Sequence, residues 1–152
     1  VRGLAQGARG LAQDISPSYG EYEDFTVPVI GVVAAQGFSE KLIKKTLTEG
    51  LKQAPAETIW VTRQANRGGD LLVNQILSRS SPVVLDTNPY WNYSYDKEGK
   101  QRKVYGATHW RDYELASCCS KLIVFHKPGS RTQWFADQAR LNPRITVIEE
   151  GK

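Results

Sequence analysis

The stretch Lys121 to Thr132, KLIVFHKPGSRT, decides how the rest of the chain is read. Leu122, Ile123, Val124 and Phe125 form a short apolar run rich in strand formers, which predicts a strand buried on both faces. The run stops at His126-Lys127-Pro128-Gly129-Ser130, a sequence with turn chemistry, and Thr132 is placed to cap a helix that begins with Gln133, Trp134, Phe135 and Ala136. A strand, a small-residue turn and a helix start gather backbone N–H groups that can hold a phosphate, and Arg131 adds a cation. An ordinary strand-to-helix connection would carry the same residues.

Working outward, the chain repeats this unit. Pro28 to Ala35, PVIGVVAA, reads as a buried strand broken by Gln36-Gly37-Phe38. Ser39 then caps a helix whose Leu42, Ile43, Leu47 and Leu51 recur at helical spacing. Thr58 to Thr62 predicts a second strand, followed by the loop RQANRGGD and a helix that turns Leu72, Val73, Ile76 and Leu77 inward. Residues 82–85, 121–125 and 144–148 supply three more strands. Five apolar strands alternating with amphipathic helices predict a three-layer α/β domain with a parallel sheet.

Two regions depart from that alternation. Residues 1–27 hold a near-repeat, RGLAQGA then RGLAQDI, and sum to a charge of −2. Their glycines each weaken a helix by about 1 kcal/mol, so an irregular arm is expected, flexible or docked on a partner through residues 1–25. Between the third and fourth strands, NPYWNYSYDKEGKQRKVYGA stands where a plain helix is expected. Tyr93 and Tyr95, a turn at Asp96 to Gly99, and a return from Gln101 to Tyr105 predict a hairpin flap. Residues 96–111 sum to +3 among Tyr and Trp, which suits nucleic acid, an oligomer contact, or simply an exposed hairpin.

The 152 residues, of net charge +4 and pI about 9.1, make one domain with a body mildly favourable to anionic ligands. The adjacent Cys118 and Cys119 cannot staple a secreted framework, so a reducing cytoplasm is expected. His109 and His126 lack metal-ligand spacing, and no metal or cofactor is expected. No apolar run approaches the ~20 residues of a membrane span.

These residues resemble the SLOG superfamily of Rossmann-like nucleotide-binding domains, especially its YspA-like branch. That branch carries a Gly-Gly-Ala-Arg-Gly-Ala-Asp type loop after the second strand. Here Gln64 to Asp70 keeps Arg67, Gly68 and Asp70, without the first two glycines. Arg111-Asp112 and Ala116 to Ser120 match the helix before the fourth strand, and Phe125, Ser130, Arg131 and Thr132 match the turn after it, with a Gly absent. The resemblance spans residues 28–149 and implies the strand order 3-2-1-4-5. It also implies a crevice lined by Gln36, Gly37, Arg67, Gly68, Arg111, Gly129, Ser130, Arg131 and Thr132. Lonely Guy-type phosphoribohydrolases of the same superfamily are similar more distantly. The positions of their catalytic glutamate fall near Trp134 and Phe135, which cannot act as acid or base.

Three functions follow as expectations: binding of a nucleotide or nucleotide-derived ligand as a sensor or effector, a nucleic-acid-binding module, or an assembly protein that uses its arm as contact. Arg111 is expected in the first turn of its helix, compensated by a ligand phosphate or by a nearby carboxylate such as Glu114.

Overall fold

The structure is a computed structural model and describes residues 27–63, 65, 67–81, 84–87, 93–95, 97–103 and 107–151. Residues 1–26 of the expected arm, together with Gln64 and Asn66, lie outside the described residues. In chain order the elements are β1 (Val29–Ala34), α1 (Glu40–Gln53), β2 (Ile59–Arg63), α2 (Gly68–Ser80), β3 (Val84–Thr87), β4 (Tyr93–Tyr95), β5 (Gln101–Lys103), α3 (Ala107–Cys118), β6 (Lys121–His126), α4 (Gln133–Gln138) and β7 (Ile145–Glu149).

Five strands form one parallel sheet in the order β3-β2-β1-β6-β7. With the two hairpin strands counted apart, this is the expected 3-2-1-4-5. Each strand alternates its side chains between the faces. Val32, Ala34, Ile123 and Phe125 meet Ile43 and Leu47 of α1 and Val73 and Leu77 of α2. Val29, Val33, Leu122 and Val124 meet Leu115 and Ala116 of α3 and Phe135 of α4 on the opposite face. The result is the three-layer arrangement in which a strand is apolar on both sides.

Local chemistry sets the ends of these elements. Ser39 caps α1 as expected, its Oγ accepting from Leu42 N at 3.3 Å. Ser120 ties the end of α3 to the start of β1: its Oγ accepts from Val29 N at 2.9 Å while its own N–H donates to Val29 O at 2.8 Å. The adjacent thiols Cys118 and Cys119 are buried and free. Burial pushes Cys118 up to about 12 and Cys119 higher still, so both are protonated, inert fillers.

A hairpin forms where expected, with Tyr93 opposite Lys103 and Tyr95 opposite Gln101 in antiparallel register; Asp96 and residues 104 and 105 of the expected hairpin lie outside the described residues. β2 and β7 each run one residue later than expected, and β3 (Val84–Thr87) continues two residues past its expected end, residues 82 and 83 lying outside the described residues. Hydropathy places the centre of a buried strand well. Its ends follow the ladder instead: Arg63, a charged residue that hydropathy excludes, pairs with Thr87 as the last position of β2. Among the described residues, no helix is long and apolar enough to cross a membrane.

Candidate functional site

The sheet order creates the crevice. β1 leaves its carboxyl end toward the face carrying α1 and α2, while β6 leaves toward the face carrying α4. Adjacent parallel strands whose connections diverge open a gap at their carboxyl ends. Gln36 and Gly37 follow β1 on the exposed rim of this gap. A Cβ on Gly68 would lie 3.3 Å from Gln36 Cγ, so the start of α2 stands directly against the β1 loop. From the β6 side, Lys127 Nζ donates to Gly37 O at 3.4 Å. Gln36, Gly37, Gly68 and Lys127 are thus brought together, with exposed Arg67 at the N-cap of α2.

Under this rim lies a polar cluster of two cations and two carboxylates. Arg63 closes β2 with a side chain only 5% exposed, and its NH2 group reaches Asp70 Oδ2 at 2.8 Å. The same guanidinium extends NH1 toward Asp112 Oδ2 at 3.4 Å and stands 5.7 Å over the Phe135 ring. Asp70 also accepts from Ala34 N at 2.9 Å, and Asp112 accepts from Arg111 Nε at 3.2 Å. The cluster therefore joins β1, β2, α2 and α3 with no net charge. Burial raises the Asp70 carboxyl above its ordinary range, while Arg63 and the Ala34 N–H pull the other way without overcoming it.

The turn at residues 128–132 differs from expectation. Thr132 is fully buried and makes no side-chain cap. Its hydroxyl pairs with His126 Nδ1 at 2.7 Å and with Ser130 Oγ at 2.6 Å, because the buried imidazole needs a partner that the apolar strand cannot supply. Backbone donors in the turn are occupied as well. Gly129 N donates to Gln133 Oε1, Ser130 N to Lys127 O, Thr132 N to Ser130 Oγ and Gln133 N to Ser130 O. Four of the five N–H groups of the expected cradle, those of residues 129, 130, 132 and 133, are thus engaged within the turn itself, and the Arg131 side chain is exposed.

Gly129 is present for its backbone angle, φ +74°, since a Cβ there would meet nothing within 4 Å. Gly129→Val should therefore lower stability by about 1–2 kcal/mol through left-handed strain and leave ligand affinity unchanged. Denaturant unfolding beside a ligand titration checks this, and weakened binding at unchanged stability would contradict it.

Arg111 is likewise corrected. α3 runs from Ala107, so Arg111 lies beyond the first turn; a nearby carboxylate does compensate it, and that carboxylate is Asp112. The pairing follows from Asp112 turning inward to reach Arg63.

Family models, curated proteins and solved structures all fail to match the chain. The reading of the crevice rests on its own geometry. Arg63 and Lys127 carried no site role in the sequence, and Asp112 entered only as part of the family pattern. A signal for the first was present: an arginine closing an apolar strand, seven residues before an aspartate in the opening turn of the next helix. Phe135, one of the positions aligned with the phosphoribohydrolase glutamate, is buried in the core.

Proposed function

We propose that this protein binds a nucleotide or nucleotide-derived ligand in the crevice between β1 and β6, as a sensor or effector domain. The observation that carries the reading is the junction of Gln36, Gly37 and Gly68 at the switch point of the sheet, beneath the start of a thirteen-residue helix whose N-cap, Arg67, makes no side-chain cap. The first turn of a helix has N–H groups without intrahelical acceptors and a positive dipole end, and both favour an anion there. The phosphate seat accordingly moves from the 129–133 turn to the start of α2, with the exposed cations Arg67 and Arg131 and the half-buried Lys127 around it. The residue pattern that resembles the SLOG superfamily supports the same reading. Arg63 and Arg111 are paired with carboxylates and serve to hold the crevice walls.

A thermal-shift panel of AMP, ADP, ADP-ribose and cyclic nucleotides tests the proposal. A ligand at a hundred times its Kd adds about 2.7 kcal/mol of stability, which raises the melting temperature by several degrees. Arg67→Ala should weaken that ligand roughly tenfold, as expected for one charge-assisted hydrogen bond, and change stability by no more than about 0.5 kcal/mol. If no nucleotide raises the melting temperature at millimolar concentration, the proposal fails.

A further inference from the structure

We propose that His109, Trp110, Tyr113 and Trp134 form a shelf on which the planar base of a bound nucleotide stacks. This rests on the crevice reading for the phosphate but has its own evidence. α3 ends at Cys118, two residues before Ser120 anchors to the start of β1, so α3 runs against the strands and its opening turns lie toward their carboxyl ends. α4 starts just past the carboxyl end of β6, which brings Trp134 to the same edge. The His109 and Trp134 rings meet edge-on at 5.3 Å, Tyr113 and Trp134 lie 6.0 Å apart, and Trp110 meets Tyr113 at 5.9 Å.

Helix packing accounts for only part of this cluster. Tyr113 and Trp134 are half-buried and join the two helices, whereas the core beneath α3 is made by Leu115, Ala116 and Cys119. Trp110 makes no ring contact with α4 and is 39% exposed, and His109, although its ring meets Trp134, is exposed as well. Among the described residues the other large exposed hydrophobic is Leu141. The shelf is also continuous with the polar cluster. Trp134 touches Phe135 with ring centroids 5.1 Å apart, and Phe135 lies under the Arg63 guanidinium. Exposed aromatic rings beside a rim bearing Arg67, Lys127 and Arg131 complement a ligand that is flat and apolar at one end and anionic at the other.

The test titrates the full chain with AMP, ribose 5-phosphate, inorganic pyrophosphate and a series of oligothymidylates, reading tryptophan fluorescence and melting temperature. Wild type, Trp110→Leu and Arg67→Ala are compared, with circular dichroism confirming that each is folded. AMP should quench the fluorescence and bind about tenfold or more tightly than ribose 5-phosphate, the range of one base stacked on an aromatic side chain. Trp110→Leu should erase that advantage and leave ribose 5-phosphate binding intact. Equal binding of AMP and ribose 5-phosphate, or an advantage that survives Trp110→Leu, overturns the shelf while leaving the crevice standing. Stacking lost with Trp110 but phosphate binding indifferent to Arg67→Ala supports the shelf and sinks the crevice reading instead. Failure to bind AMP overturns the shelf, and oligothymidylate affinity that then rises with length would assign the rings to single-stranded nucleic acid.

Discussion

Asp70→Ala is expected to cost about 3–5 kcal/mol, the range for breaking a buried ion pair by removing one partner. Two debts arise at once. Arg63, 5% exposed, keeps only the longer 3.4 Å contact to Asp112, and the Ala34 N–H loses its acceptor. An orphaned buried donor alone costs about 1–3 kcal/mol. Urea unfolding of wild type and variant measures the difference, and a loss below about 1 kcal/mol would mean that water or a neighbour replaces the carboxylate.

The same carboxylate gives a pH dependence whose sign is unusual for an ion-paired aspartate. Its folded pKa is raised above the ordinary 3.8 by burial, so the folded state holds the proton more tightly than the unfolded chain does. Stability contributed by Asp70 is therefore fully present below about 3.8 and is lost as pH rises through the higher folded value. Asp70→Asn retains an acceptor for Ala34 and removes this ionisation. Its unfolding free energy should fall less, or not at all, across that window where wild type declines.

The sheet was legible because its evidence is local. A run such as Leu122 to Phe125 is too short for a helix and too apolar for a loop, and Leu42, Ile43, Leu47 and Leu51 repeat at helical spacing whatever surrounds them. Strand order entered through resemblance, since hydropathy does not distinguish one neighbour of β1 from another. The candidate site was legible only where backbone chemistry marks it: Gln36-Gly37 and Arg67-Gly68 do come together. Thr132 reads as a cap because a threonine before a helix usually is one, and nothing local reveals that a histidine six positions earlier is buried and takes its hydroxyl. Arg63 and Asp112 lie 49 residues apart in sequence and meet only after the sheet and α3 have formed.

Gly69→Val should destabilise by about 3 kcal/mol, the upper end of ordinary overpacking. An added Cβ would lie 2.7 Å from Ala35 O and 2.8 Å from Ala34 Cβ, one a backbone atom and the other a side chain with no rotamer to change. Relief requires the start of α2 to lift from the end of β1. That motion draws Asp70 away from both Ala34 N and Arg63 and parts Gly68 from Gln36, so the polar tie and the crevice loosen in one step. Nucleotide affinity should therefore fall along with stability, in contrast to Gly129→Val, where only stability falls. Gly50→Ala is the control: its Cβ would be 3.8 Å from Trp60, an ordinary contact within a helix, so stability should rise by about 0.5–1 kcal/mol. Equilibrium unfolding of the two variants beside wild type decides the matter. A Gly69→Val protein as stable as wild type would mean that α2 can shift without loss, and the close seating of that helix would then have no part in shaping the crevice.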